Sequence, residues 1–180
     1  MDSKFIFMFV LPLAILAAGI CLSIWSDILK DASTNPLKPY SFANTQLMWW
    51  TLIIVCTFCY AYGCGNFEIP KMSNSSLILL GISLGTTTAA KIIDNRDAAT
   101  AIVRHQDTNN GRHFFSNILS DGNGISVHRF QAFVFNIIFG CMFLNDFFPD
   151  CNFIEFNPNE LALMGVSSAA YISLKATENK

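Results

Sequence analysis

Residues 77–91 read LILLGISLGTTTAAK, and residues 161–175 read LALMGVSSAAYISLK. Aligned, they place Leu77 on Leu161, Leu79 on Leu163, Gly81 on Gly165, Ser83 on Ser167 and Lys91 on Lys175. Gly81, Gly85 and Ala89 recur at every fourth position, as do Gly165, Ala169 and Ser173. Positions four apart share a helix face, so each segment predicts a helix with one stripe free of bulk. In lipid, apolar surface supplies little force between helices. Small residues that let backbones approach are what hold them together. The stripe is therefore expected to pack helices, either within one chain or between copies in a homo-oligomer.

The likeness continues upstream. Residues 45–63, TQLMWWTLIIVCTFCYAYG, match 130–148, FQAFVFNIIFGCMFLNDFF, with Gln46 on Gln131. Each unit reads as an aromatic-rich helix, an outer loop bearing Pro70 or Pro158, and a returning small-residue helix. Both units run in the same direction, which makes the repeat parallel rather than inverted. Trp49 and Trp50 fall near a membrane boundary and read as interface anchors.

The surrounding composition sets the environment. Of 180 residues, 52% are hydrophobic and 13% charged, against about 25% charged in a soluble domain. The net charge of −2 offers no concentrated basic surface, which argues against nucleic-acid binding. Residues 5–26, 39–67, 72–90 and 130–145 carry no charge, and 161–174 form a shorter neutral run. A hydrocarbon core about 30 Å thick needs roughly 20 helical residues. The first three runs reach that length, and the fourth does so by extending through Phe148 or starting near His128. The last spans only if Lys175 lays its stem in lipid and lifts its amine to the headgroups. The expected fold is all-α, a polytopic transmembrane helical bundle of about five crossings. The alternative is four, with one segment interfacial or re-entrant. A leading helix (1–26) precedes hairpin 40–91, a cytoplasmic segment (92–128) and hairpin 129–175.

With five crossings, Lys30, Lys38, Lys91, Arg96, Arg104, Arg112, Arg129, Lys175 and Lys180 collect on one side, and only Lys4 and Lys71 on the other. The side rich in Lys and Arg stays cytoplasmic. That expectation puts the N-terminus outside and the C-terminus in the cytoplasm of a bacterial inner membrane. Reading 1–25 as a cleaved signal peptide would export the four arginines of 92–129, so the helix is retained.

The strings SVHRFQ (126–131), LLGISLGT (79–86) and LMGVSSAAY (163–171) resemble a group of poorly characterised bacterial inner-membrane proteins. Those pair an SLHRFQ helix start with a GISSGTY helix. The resemblance covers most of 40–175. The chain departs from it at Val127, where leucine stands in the group, and at Ala169, where the second glycine stands. It implies a shared membrane hairpin and no activity.

Candidate chemistry is sparse. The 92–128 segment carries three Arg–His neighbours, Arg104-His105, Arg112-His113 and, at its edge, His128-Arg129. Arg104, Arg112 and Arg129 are candidate contacts for an anionic ligand, a lipid headgroup or a nucleotide. The competing expectation is a solvated loop, with Asp94, Asp97, Asp107 and Asp121 cancelling the arginines. Within it, 112–120 predicts a short helix lying on the bilayer, with Phe115, Ile118 and Leu119 on one side. The histidine spacing fits no metal cluster. Cys56-x-x-Cys59 has the spacing of a thiol-disulfide motif, but an apolar helix makes a thiolate costly. Cys64 and Cys151 fall in the outer parts of the two hairpins and form a candidate disulfide. No phosphate loop, no HExxH and no nucleophile beside a base is present. The sequence thus favours a non-enzymatic membrane protein that oligomerises, without cofactor: a small pore, a membrane-perturbing unit or a sensing subunit, with a role in stress or antiviral defence implied only by the protein class it resembles. A thiol oxidoreductase, or an anchor for a soluble partner bound through 92–128, is the alternative.

Overall fold

The computed structural model describes residues 2–100, 104–108, 111–122 and 124–179. Parts of the segment discussed above (101–103, 109, 110 and 123) and Lys180 therefore lie outside the described residues. A leading rod combines α1 (Ser3–Phe5), a π turn (Ile6–Val10) and α2 (Leu11–Trp25). Then follow α3 (Phe42–Cys64), α4 (Asn74–Ala99), α5 (His105–Thr108) and α6 (Phe114–Leu119). A two-residue hairpin, β1 (Ser120–Asp121) with β2 (Gly124–Ile125), leads into α7 (Val127–Asp150) and α8 (Pro158–Glu178). The π turn sits just ahead of Pro12, a residue that has no N–H to continue the regular ladder.

Among the described residues, four helices are long and apolar enough to cross a membrane: Ser3–Trp25, Phe42–Cys64, Asn74–Ala99 and Val127–Asp150. The shortest has 23 residues, roughly 34 Å at 1.5 Å per residue, against a core of about 30 Å. The fold is an all-α bundle of the multi-pass membrane type. Helix α8, at 21 residues, is also long enough, but Glu160, Ser167, Ser168 and Lys175 make it less apolar. It shelters its polar face against α4 and α7.

The two hairpins lie side by side in the same direction, α3 beside α7 and α4 beside α8. Cys64 and Cys151 join the C-terminal ends of α3 and α7 in a disulfide, their Cα atoms 6.6 Å apart. Cys21, Cys56, Cys59 and Cys141 are free thiols. Alkylation in denaturant without reductant is therefore expected to add four labels, and six after reduction. Six labels without reductant would contradict the pairing.

At the same disulfide end, Glu155 of the second hairpin's loop caps the first hairpin's returning helix. Its carboxylate accepts from the amides of Asn74 (3.0 Å) and Ser75 (3.3 Å) and from the Ser75 hydroxyl (2.9 Å). The Asn74 amide is the largest cause holding Glu155 below the usual carboxylate range, followed by the Ser75 hydroxyl. These contacts use donors that a helix start leaves unpaired and place negative charge at the positive end of the dipole. Helix α8 begins with its own capping box, Asn157 with Glu160, and has Pro158 in its first turn.

The core has two parts. Trp50, Ile53, Ile54, Leu79, Phe139, Phe143, Phe156 and Met164 fill one. Phe42, Ala43, Ala90, Ile118, Ala132 and Tyr171 fill the other. Trp50 is fully buried, and its indole N–H donates to Asn136 Oδ1 at 2.7 Å. Trp49 donates to the Asn136 carbonyl at 3.1 Å. The tryptophans are thus not interface anchors. They stitch α3 to α7 inside the bundle, because Asn136 offers the polar partner a buried indole requires. The surface-helix expectation for 112–120 also fails in part. Helix α6 turns Ile118 (0% exposed) into the core and leaves Phe115 outside.

The small-residue stripe is corrected most. A Cβ added at Gly81, Gly85 or Gly165 would meet nothing within 4 Å. Gly81, Gly85, Ala169 and Ser173 are exposed, and Ala89 and Gly165 half-buried. Among the described residues, no helix approaches closely at the stripe's three glycines. The buried face of α4 is its neighbour: Ser76, Leu79, Ser83, Thr87, Ala90, Asp94 and Asp97. Its hydroxyls bond back one turn, Ser83 to the Leu79 carbonyl and Thr87 to that of Ser83. Thr87 also reaches across to the Ala43 carbonyl of α3 at 3.0 Å. Side chains satisfied in this way can face a neighbouring helix without an orphan polar group. Close helix approach occurs at other glycines. Gly140 lies under the Trp49 indole, where a Cβ would stand 2.6 Å from Cζ2. Gly19 and Gly63 seat the leading rod against α3, facing Leu52 and Met8.

Candidate functional site

At the end of the bundle where α4 and α8 finish, the continuing polar face of α4 meets α8 in a buried charge cluster. Lys175 is 3% exposed, and its ammonium donates to Asp94 Oδ2 at 2.9 Å and to Asp31 Oδ2 at 3.2 Å. It does not snorkel, because these two carboxylates supply inside the protein what headgroups would supply outside it. Asp94, 1% exposed, accepts a second bond from Gln106 Nε2 at 2.8 Å. One turn on, Asp97 accepts from Asn179 Nδ2 at 2.9 Å and from Arg96.

The candidate arginines do not converge. Arg104, 5% exposed, forms a two-pronged pair with Asp107 (2.8 and 2.9 Å) and donates to the Asp94 carbonyl at 3.3 Å. Arg129 pairs with Glu178 at 2.6 Å, its guanidinium 5.4 Å from the Tyr171 ring centre. Arg112 is on the surface. The solvated-loop expectation fails too, since Asp94 and Asp97 are buried within α4, which runs on to Ala99. Arg104 and Arg129 bind the protein's own carboxylates and fasten the connecting segments to the bundle.

Asp107 shows how that fastening works. It accepts from the Thr34 amide at 2.7 Å and the Ser33 hydroxyl at 3.1 Å in addition to Arg104. Burial alone would raise its carboxyl. The Arg104 bonds and the Thr34 amide outweigh that and hold it down to about 2, from 3.8. A lowered carboxylate contributes stability that is full above about pH 4 and lost as pH falls through about 2. The shift corresponds to about 2 kcal/mol. Acid titration of the fold is expected to show a step in that window that Asp107→Asn removes. An unchanged acid profile in Asp107→Asn would contradict the assignment.

Beside the cluster lies a cavity of about 420 Å³ between the start of α7 and the end of α8. Ser126, His128, Arg129, Tyr171, Lys175 and Glu178 line it, with Asp121 across. Within the described residues, no group of three or more His, Cys, Asp or Glu side chains could hold a metal ion. The thiol pair is placed elsewhere. Cys56 and Cys59 are half-buried on α3, and the Cys56 thiol donates to the Pro12 carbonyl at 3.6 Å in an apolar groove beside the leading rod.

Reading the sequence missed Asp31, Asp94, Tyr171 and Glu178 as site residues. One signal was present. Ser83, Thr87, Ala90, Asp94 and Asp97 continue a single three-and-four spacing, so the acids extend the buried face rather than start a loop. No protein-family model, no curated protein and no solved structure is measurably similar to the chain.

Proposed function

We propose that this chain is a non-enzymatic membrane protein whose copies associate through the outward small-residue faces of α4 and α8, forming a small pore or membrane-perturbing assembly. The observation that carries the proposal is the open space at Gly81, Gly85 and Gly165. A glycine inside a helix costs about 0.5–1 kcal/mol relative to alanine, and among the described residues no close helix approach offsets that cost here. A second helix backbone approaching the same face would offset it. The interior of one chain is filled by Trp50, Phe139 and Phe143, so a polar path is proposed between copies, beside the exposed Thr88 and Ser173 hydroxyls.

The basic-residue asymmetry supports an inner-membrane placement with the N-terminus outside and the C-terminus cytoplasmic. The resemblance of SVHRFQ and LLGISLGT supports a bacterial source, and a stress or defence role is proposed from that class alone. Nothing at Cys56 and Cys59 adds weight to the oxidoreductase alternative.

The test is the subunit number in lipid discs by native mass spectrometry, for wild type and for Gly81→Leu plus Gly85→Leu. Wild type is expected to be multimeric and to leak a small dye from liposomes. The variant, whose new Cβ atoms enter open space, is expected to fold, to be a single subunit and to hold the dye. A wild-type chain that stays single at every lipid dilution would end the proposal.

A further inference from the structure

We infer that the cavity walled by Ser126, His128, Arg129, Tyr171, Lys175 and Glu178 binds a phosphate ester that also carries a primary amine, the chemistry of an ethanolamine phospholipid headgroup. This stands apart from self-association, since the cavity lies within one chain. Its volume, about 420 Å³, falls in the range of small-molecule sites, roughly 300–1,000 Å³. Its walls come from two strings singled out in the sequence. SVHRFQ supplies Ser126, His128 and Arg129, and LMGVSSAAY supplies Tyr171.

The walls are built rather than merely exposed. Lys175 is 3% exposed and Tyr171 2%. The Tyr171 ring is fixed against Phe42, centroids 4.9 Å apart, and under the Arg129 guanidinium. Tyr171 lines the cavity, and its hydroxyl is not among the sealed-off unpartnered atoms of the described residues, so it opens to the cavity. A phenol at a cavity wall has a donor and an acceptor to offer there, so this hydroxyl is available to a ligand atom.

Charge selects the ligand class. Lys175 directs two bonds at Asp94 and Asp31 and keeps a third donor. Arg129 directs one Nη2 bond at Glu178 and keeps the rest of its fork. Those donors and the Tyr171 hydroxyl suit an oxyanion. Glu178 Oε1 is not engaged by a described residue and lines the cavity, which suits an ammonium. A bare anion would face this carboxylate, and a bare cation would face Lys175 and Arg129. A zwitterion meets both.

Location selects the lipid. The cavity opens where the apolar span beginning at Val127 starts. Ile125 (73% exposed), Val127, Phe130 and the cavity-lining Leu174 present apolar side chains around it. A headgroup in the cavity would leave its acyl chains along that rim.

The experiment uses the full chain in detergent, offered phosphatidylethanolamine, phosphatidylglycerol or phosphatidylcholine, with retained lipid counted by native mass spectrometry. Phosphatidylethanolamine is expected to be retained several-fold over the other two and to be displaced by soluble phosphoethanolamine. Tyr171→Phe, which removes only the cavity-facing hydroxyl, is expected to weaken retention about five- to tenfold. If that variant melts early, His128→Gln, at an exposed position, is the second probe and is expected to show a smaller loss. Binding of phosphoethanolamine with no lipid held would assign the same chemistry to a soluble source. Phosphatidylglycerol held as tightly as phosphatidylethanolamine, or unchanged retention in both variants, would overturn the inference.

Discussion

Lys175→Met is expected to destabilise the bundle by about 3–5 kcal/mol, the cost of leaving a buried charge without its partner. Asp94 is 1% exposed and has Gln106 as its other side-chain donor. Asp31, at 18% side-chain exposure, can turn toward water, so the penalty falls on Asp94. The loss would loosen α4 from α8 at the end where those helices finish, and the 27–41 connection with them. Methionine retains much of the lysine stem's volume, which separates the charge effect from a cavity effect. Adding Asp94→Leu is expected to restore most of the stability, because replacing both members of a buried pair by apolar groups is often neutral. Reversible unfolding in mixed micelles, run as a double-mutant cycle, measures the coupling. A single-variant loss under 1 kcal/mol would show that the lysine reaches solvent after all.

The second large effect is a contrast between two glycines. Gly140→Leu is expected to cost 3 kcal/mol or more, above the usual overpacking range of about 1–3 kcal/mol. Its Cβ would meet three atoms of the Trp49 indole at 2.6–2.9 Å, and that indole is held by its bond to the Asn136 carbonyl. The ring cannot retreat without giving up that bond. A Cβ at Gly81 meets no atom within 4 Å, and leucine there gains helix propensity of about 0.8 kcal/mol. Gly81→Leu is expected to leave a single subunit as stable as wild type or slightly more so. Thermal melting of both proteins, dispersed to one chain per micelle, checks the contrast.

These two results bear on what the sequence could disclose. The long neutral runs announced membrane-length helices, because a charge-free stretch of some twenty residues has few other uses. The internal likeness suggested two hairpins in one direction, and the structure sets α3 beside α7 and α4 beside α8. Which face of α4 turns inward was hidden. Spacing by fours marks both the Gly81–Gly85–Ala89 stripe and the Ser83–Thr87 stripe beside it. Periodicity shows that a face exists without saying what it meets. Small residues argued for the first stripe. The hydroxyls of the second stripe win inside the chain because each finds a carbonyl one turn back.

The charge cluster was illegible for a related reason. Asp31 and Asp94 lie 144 and 81 positions from Lys175, so no local pattern joins them. Without Asp94 opposite, Lys175 looks like a membrane-boundary lysine. Gly140 is one small residue in an aromatic helix, and only the fold lays Trp49 on it. Arg129 reads as a ligand contact because its partner Glu178 lies far off in sequence, whereas Asp107, three residues from Arg104, could be read as its partner.

Nitroxide labels placed singly at positions 81 and 83, in protein dispersed to one chain per lipid disc, give the most direct test of which face is buried. The expected result is a mobile label at 81 that collides freely with oxygen dissolved among the acyl chains, and a rigid, shielded label at 83. A shielded label at 81 with an oxygen-accessible one at 83 would mean that the bundle is wound the other way, with its glycine stripe at the centre.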